Sequence, residues 1–220
     1  MKHIRFTDGK TYEPSKIIGI GRNYVAHINE MNSERTEEPV IFLKPNSALH
    51  DIYKPIPIPQ NMGSVHHEIE LAVCIGRDGK HIPRADAMDY VEGYGLALDL
   101  TLRDVQSAAK QKGLPWALAK GFDRSCPVSE FVYKEQAEQV NNLNLRLMVN
   151  GAVRQEGNTK QMLFGIDEII AYVSRFISLL PRDIILTGTP AGVGPLQNGD
   201  TIEASIDNIA QVKTSVIRDK

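Results

Sequence analysis

The sequence predicts an α+β fold in which short strands outnumber helices. Short apolar segments recur between turn signals, and the Asp-Gly and Asn-Gly pairs at 8–9 and 150–151 are typical of hairpins. Few segments show the 3.6-residue apolar spacing of a helix, and strands do not alternate regularly with helices. This pattern favours an α+β or β-rich arrangement over a doubly wound parallel sheet.

The strands are predicted wherever an apolar segment ends at a turn or a proline. A strand at 2–6 and an apolar strand at 16–20 flank the Asp8-Gly9 turn, which makes 1–16 a short N-terminal hairpin. The segment 54–59 contains three prolines and therefore predicts a connector or an edge strand. The remaining predicted strands are 40–44, 68–75, 93–100, 143–149, 183–187 and 201–206.

Three helices are predicted from their apolar spacing and end signals, at 24–31, 101–113 and 167–180. In the second helix, Thr101 and Asp104 have the spacing of a capping box, and Gly113 marks the end. The polar segment 32–39 lies between the first helix and the next strand, and it is expected to be mobile.

The composition excludes several classes of partner. With 25 Lys and Arg against 27 Asp and Glu, the net charge is −2, which gives no general attraction to nucleic acid or to an anionic membrane. No apolar window is long enough to span a membrane, and Cys74 and Cys126 form no disulfide or zinc pattern. We therefore expect a cytoplasmic protein with a small-molecule partner.

Three carboxylates are the best candidates for a metal site. Glu68 and Glu70 are two residues apart in an apolar strand and so share a face, although a half-exposed strand shows the same alternation. Asp99 interrupts the apolar segment 95–100, where an ionised group without a partner is costly. Oxygen ligands suit Mg²⁺ or Mn²⁺. The neighbouring His66 and His67 point to opposite faces of a strand and are interpreted as structural or supporting residues.

His27 and Glu30 are three residues apart on a predicted helix and therefore share one face. Such a pair is often only a surface contact. Alternatively, the carboxylate orients the imidazole for proton transfer near neutral pH.

Several cationic and polar residues have two interpretations. Arg103, Gln106 and Lys110 form a helical stripe that either faces solvent or, because it begins just after Asp99, takes part in a site. Lys44 and Lys120 follow apolar segments and are either surface lysines or ligands of an anion.

Two glycine-rich segments invite a comparison with nucleotide-binding loops. The Gly19-Ile20-Gly21 segment has Tyr24 where a dinucleotide fingerprint requires a third glycine, so that interpretation is rejected. The segment 188–195 lacks the Lys-Ser/Thr pair of a P-loop. It is either a tight turn or a loop whose amides and Thr189 hydroxyl bind a carboxylate.

Taken in order, these segments resemble the fumarylacetoacetate hydrolase superfamily, and in particular its short acylpyruvate hydrolase branch. The matching motifs lie within residues 19–195 at 21–24, 42–45, 66–71, 98–106, 112–120 and 188–195. The resemblance implies a single catalytic domain over 1–220, a mixed β-roll with flanking helices, and a homodimer.

The resemblance also implies roles for individual residues. It implies that Glu68, Glu70 and Asp99 bind Mg²⁺ or Mn²⁺, and that His27 and Glu30 form a catalytic pair on a mobile lid at 22–39. Lys120 is implied as a further catalytic residue. The implied substrate contacts are Arg22, Lys44, Arg103, Gln106 and Thr189.

The implied activity is metal-dependent hydrolysis of the C–C bond of a 3-acylpyruvate, such as fumarylpyruvate, to pyruvate and a carboxylic acid. Decarboxylation or keto–enol tautomerisation of oxaloacetate is the alternative, and neither reaction needs an attacking water. A binding protein with a structural cation site is a third hypothesis. A structural site would not need the pair of His27 and Glu30.

Overall fold

Strands dominate the structure, a computed structural model that describes residues 3–219. Met1, Lys2 and Lys220, which the predicted hairpin and domain include, lie outside the described residues. The strands are β1 Ile4–Arg5, β2 Thr11–Tyr12, β3 Ile17–Gly21, β4 Val40–Lys44, β5 Leu49–Asp51, β6 Ile56–Ile58, β7 Val65–His67, β8 Ile69–Ile75, β9 Val91–Leu98, β10 Thr101–Leu102, β11 Cys126–Val128, β12 Val132–Tyr133, β13 Asn144–Val149, β14 Ala152–Asn158, β15 Ile184–Leu186, β16 Gly194–Pro195, β17 Thr201–Ile206 and β18 Ala210–Arg218.

Helices are fewer and mostly short, as the α+β prediction requires. The α-helices are α1 Val25–Glu30, α2 Arg103–Gln111, α3 Ala117–Lys120 and α4 Ile166–Phe176. Short 3₁₀ helices lie at Asn46–Ala48, Arg84–Tyr90, Lys134–Gln136, Val140–Asn142 and Thr159–Gln161. The α+β fold is therefore confirmed. Within residues 3–219, no helix is both long enough and apolar enough to cross a membrane.

Two large sheets form the frame of the molecule. The larger has the order β4-β3-β15-β8-β9-β11-β5, with β12 also paired to β9, and the other has the order β14-β13-β17-β18-β6. A small sheet, β10-β7-β16, continues from β8 and β9, and the hairpin β1-β2 stands apart. The proline-rich strand β6 lies at a sheet edge, where a missing N–H does not interrupt a ladder.

The main hydrophobic core lies between the two large sheets and α4. Alternate residues of β8, such as Ile69, Leu71 and Val73, enter this core. Ala72 and Cys74 point to the other face, where they join a second, smaller core. Glu70 has the same parity as Ala72, so the larger sheet presents Glu70 at the end of this second face.

Two of the acidic residues, Glu68 and Asp99, lie at a bend where one strand ends and the next begins. The chain leaves β7 for β8 at Glu68, and it leaves β9 for β10 at Asp99. The two breaks lie side by side, because the Asp99 amide donates a 2.8 Å hydrogen bond to the Glu68 carbonyl. Asp99 therefore follows a strand rather than interrupting one, and both side chains project from the bend.

Three predicted details differ from the structure. The Asp8-Gly9 turn joins β1 to β2 at 11–12, whereas β3 pairs with β4 and β15 inside the large sheet. No capping box forms at α2, because the Thr101 hydroxyl donates to the Asp99 carbonyl and Asp104 accepts from the Ser64 amide. Helix α4 ends at Phe176, four residues before the predicted end.

Gly19 in the rejected dinucleotide segment has a packing function. A Cβ atom placed there would lie 2.1 Å from the Phe42 ring, which crosses β3 from the paired strand β4. The glycine therefore makes room for an aromatic ring on the face that carries Glu70.

Candidate active site

The three predicted carboxylates converge in the interior. Oxygen atoms of Glu68, Glu70 and Asp99 all lie within 4.8 Å of one another, and the three residues are at most 4 % exposed. The Gly188 amide holds Glu70 with a 2.6 Å hydrogen bond to Oε2. The carboxylates thus form one anionic cluster at the bend of the strands.

Three buried cations surround this cluster. Lys120 Nζ contacts Asp99 Oδ2 and lies 2.8 Å from Glu68 Oε2, and Arg103 pairs with the other Glu68 oxygen. Lys44 Nζ lies 2.7 Å from Asp99 Oδ1. Three formal negative charges therefore face three formal positive charges.

The contact between Lys44 and Asp99 is an ion pair without hydrogen-bond geometry. The Lys44 ammonium lies 2.7 Å from Asp99 Oδ1 but donates its hydrogen bonds to the Ser125 hydroxyl and to backbone carbonyls. Lys44 therefore compensates the charge of this buried oxygen. Three buried carboxylates with oxygen atoms this close together form an all-oxygen donor set, which fits a hard divalent cation such as Mg²⁺ or Mn²⁺ held by Glu68, Glu70 and Asp99.

The electrostatic environment distinguishes the two glutamates. Burial raises the pKa of Glu70 well above its ordinary range, and the nearby Asp99 and Glu68 charges raise it further. Burial would also raise the pKa of Glu68, but Lys120 and Arg103 outweigh it and hold that pKa below its usual value. Without a metal ion, Glu70 is therefore the first of these carboxyl groups to take up a proton as the pH falls.

We expect metal binding to displace this proton. Because the raised pKa keeps Glu70 protonated at pH values where a free glutamate is ionised, metal affinity should rise with pH until the pH exceeds that pKa, with release of about one proton per metal ion. Isothermal titration calorimetry with Mn²⁺ in two buffers of different ionisation enthalpy measures the proton count. Identical heats in both buffers would contradict the expectation.

A histidine and a glutamate lie together on the short helix α1. His27 Nδ1 is 3.1 Å from Glu30 Oε2, and the other oxygen, Oε1, accepts a 2.9 Å hydrogen bond from the Gly192 amide. A carboxylate only accepts hydrogen bonds, so Nδ1 carries a proton, and in the neutral imidazole the lone pair is therefore on Nε2. The glycine-rich loop therefore fixes the carboxylate that orients the imidazole.

His27 lines one small cavity of about 40 Å³ together with Glu68 and Glu70 of the acidic cluster, whereas Asp99 lies behind the cavity wall. Aromatic and aliphatic side chains, among them Phe42 and Trp116, form part of its wall. The predicted site residues that line it are Arg22, His27, Glu68, Glu70, Arg103, Gln106, Lys120 and Thr189. The stripe on α2 thus faces the cavity as far as Lys110, which also lines it.

Lys44 occupies a different place from the one expected of a substrate contact. Its ammonium lies beneath Asp99, is fully buried and does not line the cavity. It supports the acidic cluster from behind, because every donor is used inside the protein. Glu30 also stays outside the cavity wall and acts only through His27.

The two adjacent histidines lie outside the carboxylate cluster, as their opposite orientations require. His67 Nδ1 is 2.9 Å from Gln155 Oε1, in the interior. Burial and the positive charges of Arg103 and His67 lower the pKa of His66 to about 4. His66 is therefore neutral at physiological pH.

Two buried side-chain amides that connect the site are not marked by any pattern in the sequence. Gln155 is fully buried; its oxygen accepts from the Ile69 amide and faces His67, while its nitrogen donates to the Thr189 hydroxyl and the Pro190 carbonyl. Asn23 likewise bonds to the backbone of Phe164 and Thr187. No local spacing marks such residues, because their partners lie far along the chain.

Gly188 is expected to be sensitive to substitution. Its φ of +96° is unfavourable for other residues, and an added Cβ would lie 2.7 Å from the Asn23 Cβ atom. We expect Gly188→Ala to lower the free energy of unfolding by roughly 1–3 kcal/mol and to weaken Mn²⁺ binding, because its amide holds Glu70. Urea denaturation and calorimetry measure the two effects.

Gly199→Ala is the matched control for this substitution. Gly199 has a φ of +90°, but its added Cβ meets nothing within 4 Å. It should therefore show only the backbone penalty of roughly 1 kcal/mol and unchanged Mn²⁺ affinity. If the two variants showed equal changes in stability and in Mn²⁺ affinity, the clash with Asn23 and the hydrogen bond to Glu70 would be excluded as causes of the effect at Gly188.

Fold and site together define a family, and comparison with known proteins identifies it. The family model described as the fumarylacetoacetate hydrolase C-terminal domain matches residues 16–217, and the chain belongs to this family. It is 52% identical over 202 residues to the mitochondrial oxaloacetate tautomerase FAHD1 of Mus musculus, covering 92% of this chain and 91% of the relative. It is 49% identical over 197 residues to oxaloacetate tautomerase YcgM of Escherichia coli K12, covering 89% and 90%.

A solved structure supports the same grouping. Fumarylpyruvate hydrolase from Pseudomonas aeruginosa, crystallised with Mn²⁺ and pyruvate, superposes with a TM-score of 0.94 at 32% sequence identity. The alignment covers 99% of this chain and 96% of that protein. The predicted superfamily is therefore confirmed.

Proposed function

We propose that this protein is a divalent-metal-dependent enzyme that interconverts the keto and enol forms of oxaloacetate. The observation that carries the proposal is His27, oriented by Glu30, which lines the same cavity as the buried carboxylates Glu68 and Glu70 and the ammonium of Lys120. Relatives of about one-half identity over about nine-tenths of the chain are oxaloacetate tautomerases. Keto–enol tautomerisation of oxaloacetate, the alternative to acylpyruvate hydrolysis, is therefore the better supported of the two activities.

The reaction moves one proton and needs no water. His27 Nε2 accepts a proton from C3 of oxaloacetate, and the electron pair of that C–H bond forms the C2–C3 double bond. The 2-oxo oxygen gains the negative charge, and the proton is then delivered from His27 to this oxygen. Glu68, Glu70 and Asp99 would hold Mg²⁺ or Mn²⁺, which would supply Lewis-acid positive charge for the 2-oxo group.

The chain's own cations act on the same charge. Lys120 lines the cavity and carries a raised pKa, because the Asp99, Glu68 and Glu70 charges outweigh the lowering effect of burial. It therefore stays protonated and stabilises negative charge that develops on the substrate. Arg103 and Gln106 bind each other and complete this side of the cavity.

Hydrolysis of a 3-acylpyruvate is the second candidate. An imidazole with a free Nε2 can activate water as well as accept a carbon-bound proton. The fold similarity to the fumarylpyruvate hydrolase with Mn²⁺ and pyruvate favours this activity. Because the sequence identity to this hydrolase is only 32%, hydrolysis has less support than tautomerisation.

One set of assays separates the candidate reactions. With Mg²⁺ or Mn²⁺ present, loss of enol absorbance reports tautomerisation of oxaloacetate, and pyruvate release reports decarboxylation. Pyruvate release from fumarylpyruvate and acetylpyruvate reports hydrolysis. Metal-dependent enol loss without pyruvate release is the expected result, and the reverse pattern would refute the proposal.

Assembly as a homodimer is also a proposal. Leu114 and Leu118, in the segment from α2 to α3, are 55% and 79% exposed, and their burial against a second copy of the chain would be favourable. Light scattering after size-exclusion chromatography measures the mass. The opening of the lid at 22–39 and the cytoplasmic location stay predictions.

A further inference from the structure

Two cations of the cavity are not used by the acidic cluster. Arg22 and Lys110 line the cavity, yet neither forms an ion pair with a carboxylate among residues 3–219. The other three cations of the site, Lys44, Arg103 and Lys120, each pair with Glu68 or Asp99. An unpaired positive charge therefore remains on one side of the cavity.

The position of Lys110 follows from helix geometry. It is seven residues after Arg103 on α2, so the two Cα atoms are separated by roughly 10 Å along the helix axis. Arg103 bonds to Glu68, whereas Lys110 Nζ donates a 2.9 Å hydrogen bond to the Ser33 hydroxyl. Helix α2 thus runs from the acidic cluster to the lid segment.

Arg22 reaches the same segment of the lid from the end of β3. Its Nη1 donates a 3.3 Å hydrogen bond to the Glu34 carbonyl, while its Nε is buried without a partner. Its φ of +60° is rare for a residue other than glycine, and such strain often accompanies function. Burial, together with the Arg22 and Arg103 charges, lowers the pKa of Lys110, a repulsion that a bound anion would relieve.

We propose that Arg22 and Lys110 form a subsite for the second carboxylate of a dicarboxylic 2-oxo acid, at the opposite end of the cavity from the acidic cluster. The proposal deepens the proposed function and rests on it for the 2-oxo acid half of the ligand. The subsite makes the protein selective for a dicarboxylate over a monocarboxylate of the same size.

Oxaloacetate and 2-oxobutanoate are a suitable pair of probes, since they differ only by a carboxylate in place of a methyl group. The sole tryptophan, Trp116, lines the cavity, so its fluorescence reports binding without any turnover. Stopped-flow titration of the Mn²⁺-loaded protein gives both affinities before oxaloacetate reacts. We expect wild type to prefer oxaloacetate by roughly 10- to 100-fold, the effect of one charge-assisted contact.

Removal of either positive charge should reduce this preference. In Lys110→Met and in Arg22→Asn, whose new residue tolerates the positive φ, the affinity ratio is expected to fall several-fold or more, with 2-oxobutanoate binding unchanged. Lys110→Arg keeps the positive charge and should therefore retain most of the wild-type affinity ratio. Lys112→Met, at an exposed lysine just beyond α2, is the matched control and should keep the wild-type ratio.

The affinity ratio distinguishes recognition from a role in lid packing. Ser33→Ala removes the partner of Lys110 and should change both affinities together, leaving the ratio unaltered. A wild-type ratio in both Lys110→Met and Arg22→Asn would overturn the subsite even if tautomerisation is observed. A ratio that depends on Lys110 in a protein without tautomerase activity would support the subsite and refute only the proposed reaction.

Discussion

Replacing His27 with glutamine is expected to slow oxaloacetate tautomerisation by about 10²- to 10⁴-fold, because the proposed base is lost. Glutamine has a similar size and can still donate to Glu30, so the helix α1 should keep its position. His27 lies outside the carboxylate cluster, and the variant should therefore bind Mn²⁺ as wild type does. Enol absorbance measures the rate and calorimetry measures the metal affinity.

Two comparisons make this result specific. His3→Gln alters an exposed histidine far along the chain and should leave the rate unchanged. Decarboxylation of oxaloacetate needs no base, so any pyruvate release should survive in His27→Gln. An unchanged rate of enol loss in His27→Gln would exclude His27 as the base.

The substitutions Glu70→Gln and Asp99→Asn are each expected to abolish metal binding. They should, however, change the free energy of unfolding in opposite directions. Glu70→Gln replaces a carboxyl that, because its pKa is raised, keeps its proton in the metal-free protein to a higher pH than a free glutamate does. A raised folded-state pKa contributes stability at low pH that is lost as the pH rises through that pKa. The metal-free variant should therefore match wild type at low pH and exceed its stability at high pH.

Asp99→Asn should behave differently. It removes the anion that compensates the buried ammonium groups of Lys44 and Lys120, and a broken buried ion pair costs about 3–5 kcal/mol. Urea denaturation without metal distinguishes the two variants, and the thermal shift on adding Mn²⁺ should vanish in both. Mn²⁺ stabilisation that persists in both variants would refute the proposed metal site.

The sequence predicted those parts of the site that depend on local spacing. Glu68 and Glu70 lie together as their two-residue spacing predicts, although Glu68 lies at the bend just before β8, and the stripe from Arg103 through Lys110 follows helical periodicity. Asp99 was recognisable because a charge in an apolar segment requires a partner. The α+β class followed from short apolar segments and hairpin turns, and the ordered motifs identified the family.

The missing parts depend on contacts between distant segments. Gln155 and Asn23 are ordinary polar residues in the sequence, and only the fold reveals that all of their amide groups are used. The capping box at Thr101 failed because the shared bend offered both side chains better partners. The sequence suggested that Lys44 binds an anionic ligand, but its ammonium instead pairs with Asp99 and donates hydrogen bonds to backbone carbonyls.

The place of β15 in the larger sheet has a consequence for how the chain reaches its native state. This strand lies between β3 and β8, although most of the chain separates it from β3. During synthesis, β3-β4 and β8-β9 are therefore two ribbons with unpaired inner edges until residues 184–186 follow. Folding of this sheet ends with a non-local closure, and the exposed edges make the unfinished chain prone to aggregation until that step.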